Sequence, residues 1–244
     1  MRYSLICLVA MAVSLALADP GDVVSVIPAP GGNPDGLTWV DGSLYITSDS
    51  DFMIYEIDPD DGTVLDFFIG YGDDDVLTGL TYDGTDLWSC SNQFIYKRSL
   101  PDGTVLDSIP APNPTCNEGL AWDGSSIWST NWNDDMVYEL DPSNGDILSF
   151  FFPSGSDGAT GLAWDGTYLW VSMQGSVLIY RMIPGDPTPV SFFLAPCDTP
   201  QDLAWDGEYL WVTEYVASGA MVYQIEPGEI GLSPATWGSI KTEF

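Results

Sequence analysis

The sequence predicts an all-β chain folded as a five-bladed propeller of four-stranded blades. A phrase of twelve residues occurs five times: GLTWVDGSLYIT from Gly36, GLTYDGTDLWSC from Gly79, GLAWDGSSIWST from Gly119, GLAWDGTYLWVS from Gly161 and DLAWDGEYLWVT from Asp202. The copies start 43, 40, 42 and 41 residues apart, the spacing of propeller blades made of short strands. Finally, DVVSVIPAP (22–30) matches TVLDSIPAP (104–112), so an N-terminal segment reads as an outer strand.

Within a unit the strands follow in order. In the unit from Gly161 they are GLAW, YLWVS, VLIYRM and PVSFFL. Small residues such as Gly161 and Ala163 alternate with Leu162 and Trp164, which gives each strand one bulky face and one face open to close approach. Asp165-Gly166 follows Trp164 and recurs at 41–42, 83–84, 123–124 and 206–207; Asp-Gly is expected to supply the positive backbone angles of a tight hairpin. A second turn, as in DPDDGT (58–63), LPDGT (100–104) and DPSNGD (141–146), separates strands three and four. The fifth unit, Asp202 to about Pro227, has only three strands. Residues 22–30 supply its fourth and leave no open edge at the seam. The organisation is then a leader over 1–18, a propeller over 19–230 and a tail over 231–244 that carries Trp237 and Ile240.

The leader reading rests on MRYSLICLVAMAVSLALA, in which Arg2 precedes an apolar run and Ala16-Leu17-Ala18 precedes Asp19. That is the layout of a cleaved secretory signal, too short for an ordinary membrane span. The expected product is secreted, with no membrane insertion. Thirty-six acidic residues against five basic ones give a net charge of −31, which excludes nucleic acid as a partner because such binding needs Lys/Arg patches. Disordered acidic chains lack aromatics; this one is 45% hydrophobic with a regular aromatic pattern. There is no histidine, so Ser-His-Asp, Cys-His and His-ligated zinc chemistry are all excluded. Of the cysteines that remain after cleavage, Cys90 and Cys116 fall beside each other at one rim and are the preferred disulfide, with Cys197 free; Cys116–Cys197 is the rival pairing.

A propeller has two ends. The Asp-Gly turns repeat from blade to blade and read as structural. The opposite end, where strand one begins and strand two finishes, varies and is where chemistry can be installed. Asp35, Thr78, Glu118, Thr160 and Gln201 precede strand one there; Ser48, Ser91, Asn131, Met173 and Glu214 end strand two. Both sets are expected to ring the channel mouth. Asp35, Glu118, Asp202 and Glu214 would then face one another, with Asp73–Asp75 and Asn131-Trp132-Asn133-Asp134 extending the rim. Such a ring reads as solvated charge, as a hard-cation site, or as a pocket in which crowding raises one carboxyl into the acid–base range. No cofactor is required; Ca2+ is the ion that Asp35, Glu118, Asp202 and Glu214 could hold. Asp35, Asn131, Trp132, Asp202, Glu214 and Tyr215 are the candidate binding residues. The primary expectation is a binding module for a peptide, glycan or surface protein.

The phrase G-L-x-W-D-G-x-x-L-W-V followed by an I-Y-x-I-D-P strand resembles extracellular propeller repeats of the NHL and YVTN type over almost the whole mature chain. A narrower resemblance is to the five-bladed glutaminyl cyclotransferases, which convert N-terminal glutamine to pyroglutamate. Asn117-Glu118-Gly119-Leu120 is similar to their Glu-Gly-Leu phrase, with Trp132 where an aromatic follows; the resemblance implies that Glu118 is the acid–base catalyst. Those enzymes also carry a glutamate in a Glu-Ser-Thr-Gly stretch of their first blade, and Ile46-Thr47-Ser48-Asp49 stands there in this chain. A metal-dependent lactonase- or lyase-like propeller is the third expectation.

Overall fold

The computed structural model describes residues 19–70, 77–100, 102–115 and 117–228. The leader, the tail, Cys116 and Asp73–Asp75 lie outside them. The first strand, β1 (Val23–Pro28), comes from the N-terminal segment. Blade 1 follows as β2 (Pro34–Val40), β3 (Ser43–Ser48), β4 (Met53–Ile57) and β5 (Val64–Ile69). Blade 2 is β6 (Leu80–Tyr82), β7 (Leu87–Cys90), β8 (Phe94–Arg98) and β9 (Val105–Pro110). Blade 3 is β10 (Asn117–Trp122), β11 (Ile127–Asn131), β12 (Met136–Leu140) and β13 (Ile147–Phe151). Blade 4 is β14 (Ala159–Trp164), β15 (Leu169–Met173), β16 (Leu178–Met182) and β17 (Ser191–Leu194). Blade 5 is β18 (Pro200–Trp205), β19 (Leu210–Glu214) and β20 (Met221–Ile225), with β1 completing it in the order β1-β20-β19-β18. All five sheets are antiparallel, blades 1 to 4 as meanders, and in blade 5 the N-terminal strand closes the ring as the sequence predicts.

The alternation along strand one explains how blades stack. Leu203 and Trp205 of blade 5 pack into one cluster with Ala163, Trp170, Ile179 and Phe193 of blade 4. The alanine is small because a neighbour's leucine and tryptophan must approach the same face. The same arrangement places Ala204 and Trp211 of blade 5 against Leu37 and Trp39 of blade 1, with Trp39 and Trp211 stacked 6.4 Å apart. The core therefore lies between blades, and each blade is stable only through its neighbours.

The Asp-Gly turns follow the tight two-residue form in blade 1 alone. There Val40 pairs with Ser43, and Asp41 and Gly42 sit at φ 46° and 105°. In the other blades the closing pairs, such as Trp164 with Leu169, enclose four residues, and only the glycine has positive φ. The aspartate works through its side chain instead. Asp165 Oδ1 accepts from the amides of Thr167 (2.9 Å) and Tyr168 (2.7 Å), while Oδ2 accepts from Trp170 Nε1 (2.9 Å). Asp83–Trp88, Asp123–Trp128 and Asp206–Trp211 repeat this bond at 2.8–2.9 Å. D-G-x-x-L-W is thus one device: an Asx-type turn whose spare oxygen fixes the tryptophan that fills the inter-blade core.

A ring of hydroxyls ties blade to blade around the channel. Thr47, Thr130, Ser172 and Thr213 occupy one equivalent position on the second strands. Ser172 Oγ accepts from Gly161 N (2.7 Å) in its own blade and donates to Gln201 O (2.6 Å) in the next. Thr47 does the same between Gly36 N and Thr78 O, and Thr213 closes the circle from Asp202 N to Asp35 O. Blade 2 has Cys90 at this position. Its thiol is buried, within reach of Ser91 O (3.5 Å); Cys116, its expected disulfide partner, lies outside the described residues. Cys197 is buried as well.

Candidate functional site: the acidic channel mouth

The side chains at the mouth are placed by an irregularity in strand one. Pro34 pairs with Ser48, but Leu37 pairs with Ile46, so one extra residue is accommodated between them. The same shift occurs between Asn117 and Leu120, Ala159 and Leu162, and Pro200 and Leu203. Strict alternation would put Asp35 on the face of Leu37, inside the inter-blade core; a bulge bends the strand and re-aims the residue. Asp35, Glu118, Thr160 and Gln201 consequently converge on one cavity of about 200 Å³, completed by Trp132, Gln174 and Tyr215.

The floor of this cavity is a carboxyl pair. Gln201 Nε2 donates both protons, one to Asp35 Oδ1 (2.8 Å) and one to Glu118 Oε2 (2.9 Å). Its own Oε1 accepts from Gln174 Nε2 (3.0 Å). The two carboxyls thus meet through one amide group. Burial, then the charge of Glu118, raises the Asp35 pKa well above the carboxylate range. Burial, then the charge of Asp202, pushes Glu118 up to about 7. Both shifts favour the protonated form, and the two carboxyls titrate as a pair. Tyr215 leans over the pair, its hydroxyl 3.5 Å from Asp49 Oδ2, and burial followed by the surrounding carboxylates pushes its pKa to about 12. Tyr215 is therefore a neutral donor.

Asp202 lies beneath the floor rather than in it. It takes the place of the motif glycine, and its Oδ2 accepts from the amides of Leu37 (2.8 Å) and Leu80 (3.5 Å), its Oδ1 from Leu162 (3.0 Å) and Leu203 (2.9 Å). A carboxylate reaching the inner strands of four blades sits on the channel axis. Those strands have no partner on their channel side, so their amides are orphans until Asp202 satisfies them. Burial pushes its pKa up, and the amides of Leu37, Leu203 and Leu162 oppose that shift.

The remaining expected residues separate. Glu214 turns away from the mouth: its Oε2 accepts from Tyr223 OH (3.3 Å) on the outer side of blade 5. Thr213, one residue earlier, faces the channel, so the sequence reading was one residue out of phase on the second strands. Asn131 follows the same parity. It is buried, donates to Thr115 O and caps the amides of Asn133 (3.1 Å) and Asp134 (3.3 Å). It thereby shapes the loop that presents Trp132 instead of facing a ligand. Trp132 is 46% exposed, unlike the buried tryptophans of strand two, and walls the cavity. Of the four carboxylates expected to hold Ca2+, Asp35 and Glu118 meet at the cavity floor through Gln201, Asp202 lies beneath them among amides, and Glu214 bonds Tyr223. Among the described residues no three acidic or cysteine side chains are grouped to hold an ion. Gln201 and Gln174 escaped designation as site residues because an uncharged amide stands out in a sequence far less than an acid.

No protein-family model matches the chain, and no curated protein matches its sequence. Among solved structures, the fold is similar to glutaminyl cyclase from Myxococcus xanthus, with TM-score 0.70, 10% identity, and coverage of 84% of this chain and 95% of that one. It is also similar to a catalytically inactive, histidine-substituted virginiamycin B lyase from Staphylococcus aureus crystallised with quinupristin, with TM-score 0.51, 21% identity, and coverage of 82% and 72%. A third is the aldose sugar dehydrogenase of Streptomyces coelicolor in its PQQ-bound form, with TM-score 0.54, 12% identity, and coverage of 86% and 99%. At these identities the likeness establishes the propeller fold.

Proposed function

We propose that this is an exported binding propeller whose channel mouth takes the amino terminus of a peptide. The carrying observation is the Asp35–Glu118 pair, bridged by Gln201 at the floor of a cavity walled by Trp132 and Tyr215. Such a floor is rich in acceptors and lined by no Lys or Arg, so it suits a ligand that brings its own cation and donors. An α-ammonium does both, and the flanking aromatics suit the first side chain. Export rests on the leader expected over residues 1–18, and sequencing the exported protein should find Asp19 first.

A second reading is favoured by the Glu118 pKa of about 7. A carboxyl poised there can take a proton from an α-ammonium and return it to a leaving amine. With N-terminal glutamine bound, the freed amine would attack the side-chain amide carbon, closing the pyroglutamate ring and releasing ammonia. The fold similarity to a glutaminyl cyclase agrees with this chemistry. The lyase crystallised with quinupristin is catalytically inactive with a histidine replaced, and this chain has no histidine to offer.

One experiment separates the readings. Glutaminyl peptides are titrated into the mature protein by calorimetry, and the mixture is then assayed for ammonia and pyroglutamate. Binding without turnover supports the binding module; turnover lost in Glu118→Gln supports the cyclotransferase. Absence of binding by any free-amine peptide, with N-acetylated peptides as the control, overturns both.

A further inference from the structure

The mouth does not end at Trp132. A second cleft of about 320 Å³ opens on the other side of the indole, lined by Trp132, Asn133, Asp135, Asp157, Gly158, Gln174 and Gly175. Trp132 and Gln174 line both spaces, so the cleft adjoins the carboxyl-floored cavity across the indole, on the side of blades 3 and 4. The partition is deliberately thin. Gly158 sits at φ 77°, and a Cβ there would come within 2.7 Å of Trp132 Nε1; only glycine lets the indole lie against the backbone. Asp135 holds this geometry by accepting from Gly158 N (2.7 Å). Asp157 stands exposed at the cleft.

We infer that this cleft is the subsite for the residue that follows the ligand's amino-terminal residue, and that it selects a basic side chain, Lys or Arg. The inference rests on the amine-pocket reading given above. A peptide anchored by its ammonium at Asp35 and Glu118 can run past Trp132, the wall shared by the two spaces. Its next side chain then meets two carboxylates, Asp135 and Asp157, and no Lys or Arg lines either space. The stem of a lysine or arginine covers the exposed indole, and its charge is attracted both by the ring face and by the carboxylates. An acidic side chain in the same place is repelled by both aspartates.

The test compares Gln-Lys-Ala-Ala, Gln-Ala-Ala-Ala and Gln-Glu-Ala-Ala by calorimetry with the mature full chain. Gln-Lys is expected to bind about tenfold tighter than Gln-Glu at low salt, because partly exposed pairs each contribute modestly and are screened. The preference should shrink several-fold in 0.5 M salt and in Asp157→Asn, an exposed substitution that leaves the fold intact. Trp132→Ala should weaken all three peptides. Equal affinity for the three would overturn the subsite while leaving the amine pocket standing. Binding of none would remove the pocket and the subsite together.

Discussion

Glu118 and Asp202 are both buried carboxyls near one axis, and their environments assign them different work. Asp202 meets four amide donors and acts as the plug that unites the blades. Asp202→Ala should destabilise the protein by about 2–4 kcal/mol, since it strands buried N–H groups. Asp202→Asn should also cost stability, because an amide nitrogen must then face two of those donors. Chemical denaturation measures both. Glu118 lacks that cage of amides and accepts from the Gln201 amide; its folded pKa of about 7 lies above the ordinary value of 4.5. Between those values the folded state binds more protons than the unfolded chain, so this group's contribution to stability is full below pH 4.5 and is lost as pH rises to 7. Glu118→Gln should flatten that slope by about 1–3 kcal/mol across the window, seen by comparing urea midpoints at pH 4.5 and 8. At this scale the sequence disclosed the acids of the first strand, which lie beside the repeated Gly-Leu. It placed Asp35 and Glu118 at the mouth from their position beside the strand, while the bulge that turns them inward leaves no mark in the residue pattern; on the second strand the alternation runs the other way, so Thr213 and not Glu214 faces the channel.

The recurring hairpin is the element that makes the repeat legible. Asp-Gly correctly marks where strand one turns into strand two, yet it reports two different structures. Blade 1 spends the aspartate on a positive φ; the other blades spend it on capping amides and holding a tryptophan. The discriminating signal is Val40, which sets the aspartate one residue later: Asp41 precedes Tyr45 by four residues, whereas Asp165 precedes Trp170 by five, and Tyr45 has no indole N–H. Asp165→Ala should therefore cost about 1–3 kcal/mol, lowering the melting temperature by several degrees, and should disturb the near-ultraviolet signal of Trp170. Asp41→Asn, in the two-residue turn, should be nearly neutral because asparagine accepts positive φ equally well. The hydroxyl staples were also latent in the sequence as the Thr/Ser before the end of each second strand. Cys90 takes the hydroxyl's place in that series, and Cys90→Ser should keep the fold.

At the scale of the whole molecule the five-fold ring was legible almost completely, because blade spacing, blade number and the displaced outer strand are all written as repetition. Removing residues 19–30 should strip blade 5 of its outer strand, expose the edge of β20 and lower the melting temperature by well over ten degrees, as expected for the seam of a cyclic fold. What repetition cannot reveal is the chemistry of the axis, where the blades differ from one another and side chains distant in sequence meet. One such meeting is the Asp35–Glu118 pair bridged by Gln201, proposed above as the floor that holds an amine. Its most direct test is a carbon-13 NMR titration of the Glu118 carboxyl, alone and with saturating glutaminyl peptide. The account predicts a midpoint near 7 in the free protein, falling by a unit or more when the ligand's ammonium sits beside it. A midpoint near 4.5 that the peptide does not move would contradict it.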